Sequence, residues 1–162
     1  MTKEPAADPR ISCAKLATVD LALVEQLGAA NHGLAIVSVV RADSSIHSSL
    51  VNAGVLDHPV RGERIVGCVI AGSARKLQLL RRSGRASLAF QHGWQWVSVE
   101  GPIEIAGPDD PGVVPADDVP ELLRTVFRAA GGTHEDWDEF DRVMAAERRT
   151  AVLVAPERLL TN

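Results

Sequence analysis

From Leu21 onward the apolar residues fall at helical spacing, Leu21, Val24 and Leu27, until the run breaks at Asn31-His32-Gly33. That pattern predicts a first helix over about residues 19–31, with Thr18 or Asp20 as its cap. Past Gly33 the period drops to two. LAIVSVV and IHSSLVNAGVL are β-rich runs flanking the turn-like RADSS, and they read as the two strands of a hairpin. On the second run Ile46, Ser48, Leu50 and Asn52 face one way, and His47, Ser49, Val51 and Ala53 the other. DHPVRGE has loop chemistry, and RIVGCVIAG is a third strand feeding a helical stretch, AGSARKLQLLRR.

RASLAF and WQWVSVEGPIEIA follow as strands four and five. In the fifth, Val97, Val99, Ile103 and Ile105 share a face, Gly101 marks a bulge or bend, and Trp94 and Trp96 project from the opposite side. Both faces need cover. The core supplies one, and a symmetry mate is expected to supply the other, since adjacent exposed tryptophans suit a monomer poorly. After the proline-rich GPDDPGVVPADD, Asp118 and Glu121 form a capping pattern ahead of Leu122, Leu123, Val126 and Phe127, closed by Gly131-Gly132. Thr133 and Asp136 cap another helix, with Trp137, Phe140 and Met144 as its apolar stripe and Arg148-Arg149 at its end. TAVLVAPERLL finishes as a strand with a short extension. About six strands in meander order, with helices between and after them, make an α+β chain, and a small closed or half-closed barrel removes its exposed edges.

Composition bounds the rest. With 162 residues, 46% of them hydrophobic, the chain suits one core. The opening MTKEPAADPR reads as a solvated, flexible tail, which gives a tail over 1–15 and a single domain over 16–162 with a C-terminal helical pair. Cys13 and Cys68 stand in no metal or redox spacing, which fits a reduced cytoplasmic compartment without a disulfide. No apolar stretch reaches the length of a membrane span. A net charge of −4 argues against nucleic acid as a partner. The five histidines lack ligand spacing, so no metal site is expected, and the glycine-rich nucleotide, nucleophile-elbow and HExxH motifs are missing.

The distribution of charge is more informative than its sum. Residues 75–85 hold Arg75, Lys76, Arg81, Arg82 and Arg85 without one acid, while residues 133–141 are rich in Asp and Glu. A local basic patch on an acidic chain suits a small anionic ligand. Arg75 and Lys76 also fall in the first turn of their helix, the end at which the peptide dipoles disfavour cations. A phosphate resolves that conflict: with Ser73 as N-cap and Gly72 admitting a close approach, free amides and two cations would bind it together. The plain alternative is two solvated cations that cost about 0.3–1 kcal/mol each.

GERIVGCVIAGSARKLQLLRRSGRASLAF followed by WVSVEGPIEIA resembles the flavin-binding split-barrel superfamily typified by pyridoxamine 5′-phosphate oxidase, over about residues 20–107. SSLVNAGVLDHPV, GSARKL and AAGGTHEDWDEFDRVMAAERRTAVLVAPERL resemble its actinobacterial branch of deazaflavin (coenzyme F-420)-dependent oxidoreductases. The resemblance implies that the single domain over 16–162 is a split β-barrel of mostly antiparallel strands with flanking helices. It also implies a homodimer with coenzyme at the interface, and hydride transfer from the coenzyme to an unsaturated small molecule. Gly72, Ser73, Arg75 and Lys76 match the helix start that holds the coenzyme phosphate. His47, Ser49, Val51 and Asn52 match the strand against which the ring packs, and Trp96 would approach from the neighbouring subunit. Arg81 or Arg82 would meet the anionic tail of F-420, and His47 is the candidate proton donor. FMN oxidases of this superfamily carry an Arg and a Lys on the second strand, where this chain reads IHSSLVNAG. FMN is therefore the alternative coenzyme, and a non-catalytic F-420-binding or storage protein the alternative role.

Overall fold

In the computed structural model residues 20–162 are described, so Cys13, Thr18 and the predicted tail lie outside the described residues. The strands are β1 (Leu34–Val40), β2 (Ile46–Asp57), β3 (Arg64–Ile70), β4 (Arg85–His92), β5 (Gln95–Ala106), β6 (Thr150–Val154) and β7 (Arg158–Thr161). Four helices accompany them: α1 (Ala22–Ala30), α2 (Arg75–Ser83), α3 (Val119–Ala129) and α4 (Trp137–Ala146). Strands run in the order β4-β1-β2-β3-β6-β5, and β4 also pairs with β5, so six antiparallel strands close on themselves. β7 adds a seventh outside β5. Because β6 inserts between β3 and β5, the order departs from a simple meander.

Closure depends on two long strands. β2 pairs with β1 along its first half (Val37 opposite Ser49) and with β3 along its second (Gly54 opposite Gly67). β5 likewise pairs with β4 first (Leu88 opposite Val99) and with β6 later (Ile105 opposite Val152). Pairing with β4 ends at Pro102 and pairing with β6 begins at Ile103; just before this changeover, at Gly101, an ideal Cβ would sit 1.7 Å from the Ala155 carbonyl oxygen. Only a residue without a side chain lets the β6–β7 connection cross so closely. Gly101 thus marks a close backbone crossing within a continuous strand, and the final strand divides around Ala155 and Pro156.

Strand alternation sorts the side chains into two cores. Inside the barrel, Val37, Val51, Cys68, Phe90, Val99 and Val152 pack with Val24 and Leu27 of α1 and Leu77 and Leu80 of α2. On the outside, Leu56, Ile65, Ala151 and Leu153 lie under Leu122, Val126 and Phe140 of α3 and α4. That helix pair covers only part of the outer surface. Ile36, Val40, Ile46, Leu50 and Trp96 stay exposed on the remainder.

Several local expectations need correction. The first helix starts at Ala22, whose amide donates to Asp20 Oδ1 at 2.9 Å. Trp94 lies in the β4–β5 turn and is 95% exposed, so only Trp96 belongs to the outer strand face. Asp118 makes no side-chain cap bond, because a 3-10 turn over 116–118 and Pro120 set the entry to α3, and Glu121 pairs with Arg124 and Arg128 instead. Asp136 does cap α4, accepting from the Glu139 amide at 3.0 Å. Buried His58 locks the β2–β3 turn: its Nδ1 accepts from the Val60 and Arg61 amides, which leaves Nε2–H to donate to Glu104 at 2.9 Å.

Candidate coenzyme site

The basic helix start is assembled differently from its sequence reading. The chain turns over 71–74, with the Ala74 amide donating to the Ala71 carbonyl, and α2 begins one residue late with Ala74 at the cap. Ser73 therefore stands outside the helix, exposed, and is not its N-cap. Gly72 has a packing reason of its own. An ideal Cβ there would lie 2.6 Å from the Arg148 carbonyl oxygen, and its amide donates to the Glu147 carbonyl at 3.1 Å. The Gly72 N–H is spent on this crossing, and the amides that remain without a backbone partner among the described residues are those of Ser73, Arg75 and Lys76.

The five cations of this region then separate by role. Arg81 holds Asp110 with a two-point bond and Arg85 pairs with Glu157, so both are structural. Lys76 Nζ donates to the Leu50 carbonyl at 3.0 Å, tethering the helix start to β2. Arg75 and Arg82 are exposed and pair with no acid among the described residues. This tether brings together the two halves of the predicted site, the helix start and the second strand, although 26 residues separate Lys76 from Leu50.

On β2 the alternation splits the four predicted residues. His47, Ser49 and Val51 point into the barrel end, and Val51 belongs to the inner core. Asn52 faces out with Ser48 and Leu50. His47 Nδ1 lies 3.0 Å from Arg41 Nη2, which can only donate, so the imidazole proton sits on Nε2. Ser49 Oγ is enclosed without any hydrogen-bond partner, the one such buried side-chain atom among the described residues. Trp96 lies on β5, three strands from β2 with β1 and β4 between them.

Asn52 leads to a feature that patterning missed. It donates to the His32 carbonyl at 2.9 Å and lines a cavity of about 360 Å³ with His32, Val69, Phe127, Met144 and Arg149. That volume lies at the lower end of small-molecule sites. Val69 precedes Gly72 by three residues, and Arg149 follows the Arg148 on which Gly72 packs, so cavity wall and helix start share a backbone junction. Arg149 and Met144 read in sequence as a helix-end cation and a core stripe residue; only the fold shows that they face a cavity. Among the described residues no three His, Cys, Asp or Glu side chains gather as metal ligands.

No family model matches the sequence. Solved structures are informative about architecture. A pyridoxamine 5′-phosphate oxidase-related, FMN-binding protein from Nostoc punctiforme superposes with a TM-score of 0.58 at 7% identity, over 90% of this chain and 86% of the other. The chain has the split-barrel fold of the pyridoxamine 5′-phosphate oxidase-like proteins. This split barrel also resembles an F420 reductase (TM-score 0.54, 11% identity, 78% of this chain and 88% of that one). HutZ, the heme storage protein of Vibrio cholerae, gives a TM-score of 0.53 at 12% identity, over 88% and 94% of the two chains. At these identities the likeness is one of fold.

Proposed function

We propose that this split barrel is a cytoplasmic homodimer that binds coenzyme F-420 and reduces an unsaturated small molecule. The observation that carries the reading is the helix start. Among the described residues Arg75 has no acid partner, Lys76 is fixed to β2, and amides without a backbone partner lie beside them, a donor set that fits a phosphate. The cavity beside it has an apolar wall and the Asn52 amide, which fits a flat ring system.

The uncovered sheet face supports the dimer. Ile36, Val40, Ile46 and Leu50 are each about half exposed or more, at 48, 54, 65 and 58%. Leu50 joins the two features, since its carbonyl holds Lys76 while its side chain projects from the bare face. A second copy seated there would cover the apolar patch and bring its own Trp96 face to the coenzyme site. F-420 is favoured over FMN because the outward residues of β2, Ile46, Ser48, Leu50 and Asn52, offer no cation to a second phosphate contact.

When bound, F-420 supplies hydride from its own ring. In this reading Arg75 and Lys76 hold the phosphate, Asn52 and Val69 orient the ring, and the partner's sheet face excludes water. His47, on the inward face of β2 opposite to Asn52 and with Nδ1 held by Arg41, does not line this cavity and donates no proton in this reading. Parallel titrations of the purified protein with F-420, FMN and hemin, followed by absorbance and fluorescence, test the assignment. Saturable binding of F-420 with turnover of an enone supports it. Tight F-420 binding without turnover gives the storage role, FMN binding alone gives the alternative coenzyme, and hemin binding alone overturns both.

A further inference from the structure

Next to the coenzyme cavity, on the other side of Met144 and Arg149, lies a second hollow of about 410 Å³. Its walls come from the 107–118 connector and from α3 and α4, with Val114, Val119, Leu123 and Met144 as apolar lining. Such surfaces ordinarily collapse onto one another. Here they are held apart. Asp110 on the connector takes a two-point bond from Arg81 of α2, and Asp109 beside it pairs with Arg148. Gly107 and Asp110 bridge each other's backbone, and Pro108, Pro111 and Pro120 stiffen the wall they form. On the opposite side Arg124 fixes Asp141 through two hydrogen bonds.

The charges of the lining are unequal in their freedom. Both acids, Asp110 and Asp141, are already neutralised by bidentate arginines. Arg149 is the one cation in the lining. Its Nε donates to Glu147 at 2.7 Å, and its two terminal nitrogens make no bond to the described residues. A guanidinium with its fork end unspent, beside a rigid apolar hollow, is suited to a carboxylate carrying an apolar body.

We propose that this hollow is a binding site for a small apolar carboxylic acid, its hydrocarbon among Val114, Val119 and Leu123 and its carboxylate on Arg149. The site stands independently of the coenzyme reading and is tested without coenzyme. Calorimetric titration of the full chain with 2-naphthoate, and with 2-naphthalenemethanol as its uncharged counterpart, reads it directly. The expected result is saturable naphthoate binding that weakens at least tenfold in Arg149→Gln while the alcohol changes less than twofold. Ala145→Trp, at an exposed lining position where the helix tolerates bulk, should abolish both. Absence of saturable binding by wild type, as when another part of the chain or a second copy fills the hollow, overturns the proposal. So does naphthoate affinity unchanged in either variant.

Discussion

Gly101→Ala is the perturbation whose consequence follows most closely from the backbone. The added methyl group would stand 1.7 Å from the Ala155 oxygen, 2.9 Å from its carbonyl carbon and 3.3 Å from the Glu157 nitrogen. These atoms belong to main chain and cannot swing aside as a side-chain tip would. Either the β6–β7 connection retreats or β5 distorts. Retreat breaks the bonds from Ala155 N to the Pro102 carbonyl (3.0 Å) and from Glu157 N to the Glu100 carbonyl (2.9 Å). Overpacking costs about 1–3 kcal/mol, and each lost bond adds about 0.5–1.5 kcal/mol net, so the total is about 2–6 kcal/mol. For a chain of this size that lowers the melting temperature by roughly 5–20 °C. Gly93→Ala is the control: its φ of 61° is strained for alanine, but nothing lies within 4 Å. It should cost only about 1 kcal/mol. Thermal melts of the three proteins, with hydrogen exchange, decide the matter. Gly101→Ala should also strip protection from β7 while sparing the β1–β2 hairpin. A melting point no lower than that of Gly93→Ala would refute the reasoning.

Three further outcomes follow from the same structure. Wild type should sediment at twice the 17.3 kDa chain mass, and the double variant Ile36→Glu, Leu50→Glu, altered at exposed positions, should sediment as a folded monomer. Burial pushes the Cys68 thiol up to about 12, so in a Cys13→Ser background it should resist a thiol reagent until the protein unfolds. Arg61 and His58 hold the Glu104 carboxyl below its ordinary value, and Arg148 does the same for Asp109. Groups lowered in this way stabilise the fold above the unfolded carboxylate pKa of about 4 and lose that contribution as pH falls through the folded value. The urea midpoint should hold from pH 7 to 5 and drop below pH 4, and Arg61→Gln should flatten that drop.

Much of the barrel was legible because alternation and turn residues are local signals. The hairpin of β1 and β2 and the shared face of Val97, Val99, Ile103 and Ile105 both rest on neighbours in sequence. The insertion of β6 between β3 and β5 was not legible, since no local pattern states which distant strand supplies an edge. At the candidate site, residue types were found but not their tasks. Ser73 lost its capping place to a turn closed by Ala71 and Ala74, and Gly72 answers to Arg148, a residue remote in sequence. Arg81 looked like a free cation until the fold set Asp110 against it. Grouping His47, Ser49, Val51 and Asn52 follows the resemblance and runs against the alternation legible in their own strand, which sends only Asn52 outward. Arg149 and His32 reach the cavity through tertiary packing alone, and no spacing rule points to them.

The coenzyme assignment is tested most directly by the dissociation constant of F-420 for wild type and for Arg75→Ala. Arg75 is exposed and makes no ion pair among the described residues, so its removal should leave the melting temperature unchanged. A charge-assisted contact of about 1.5–3 kcal/mol predicts weakening of roughly 10- to 150-fold. Equal affinity in the two proteins, or no binding of F-420 by wild type, would contradict the account.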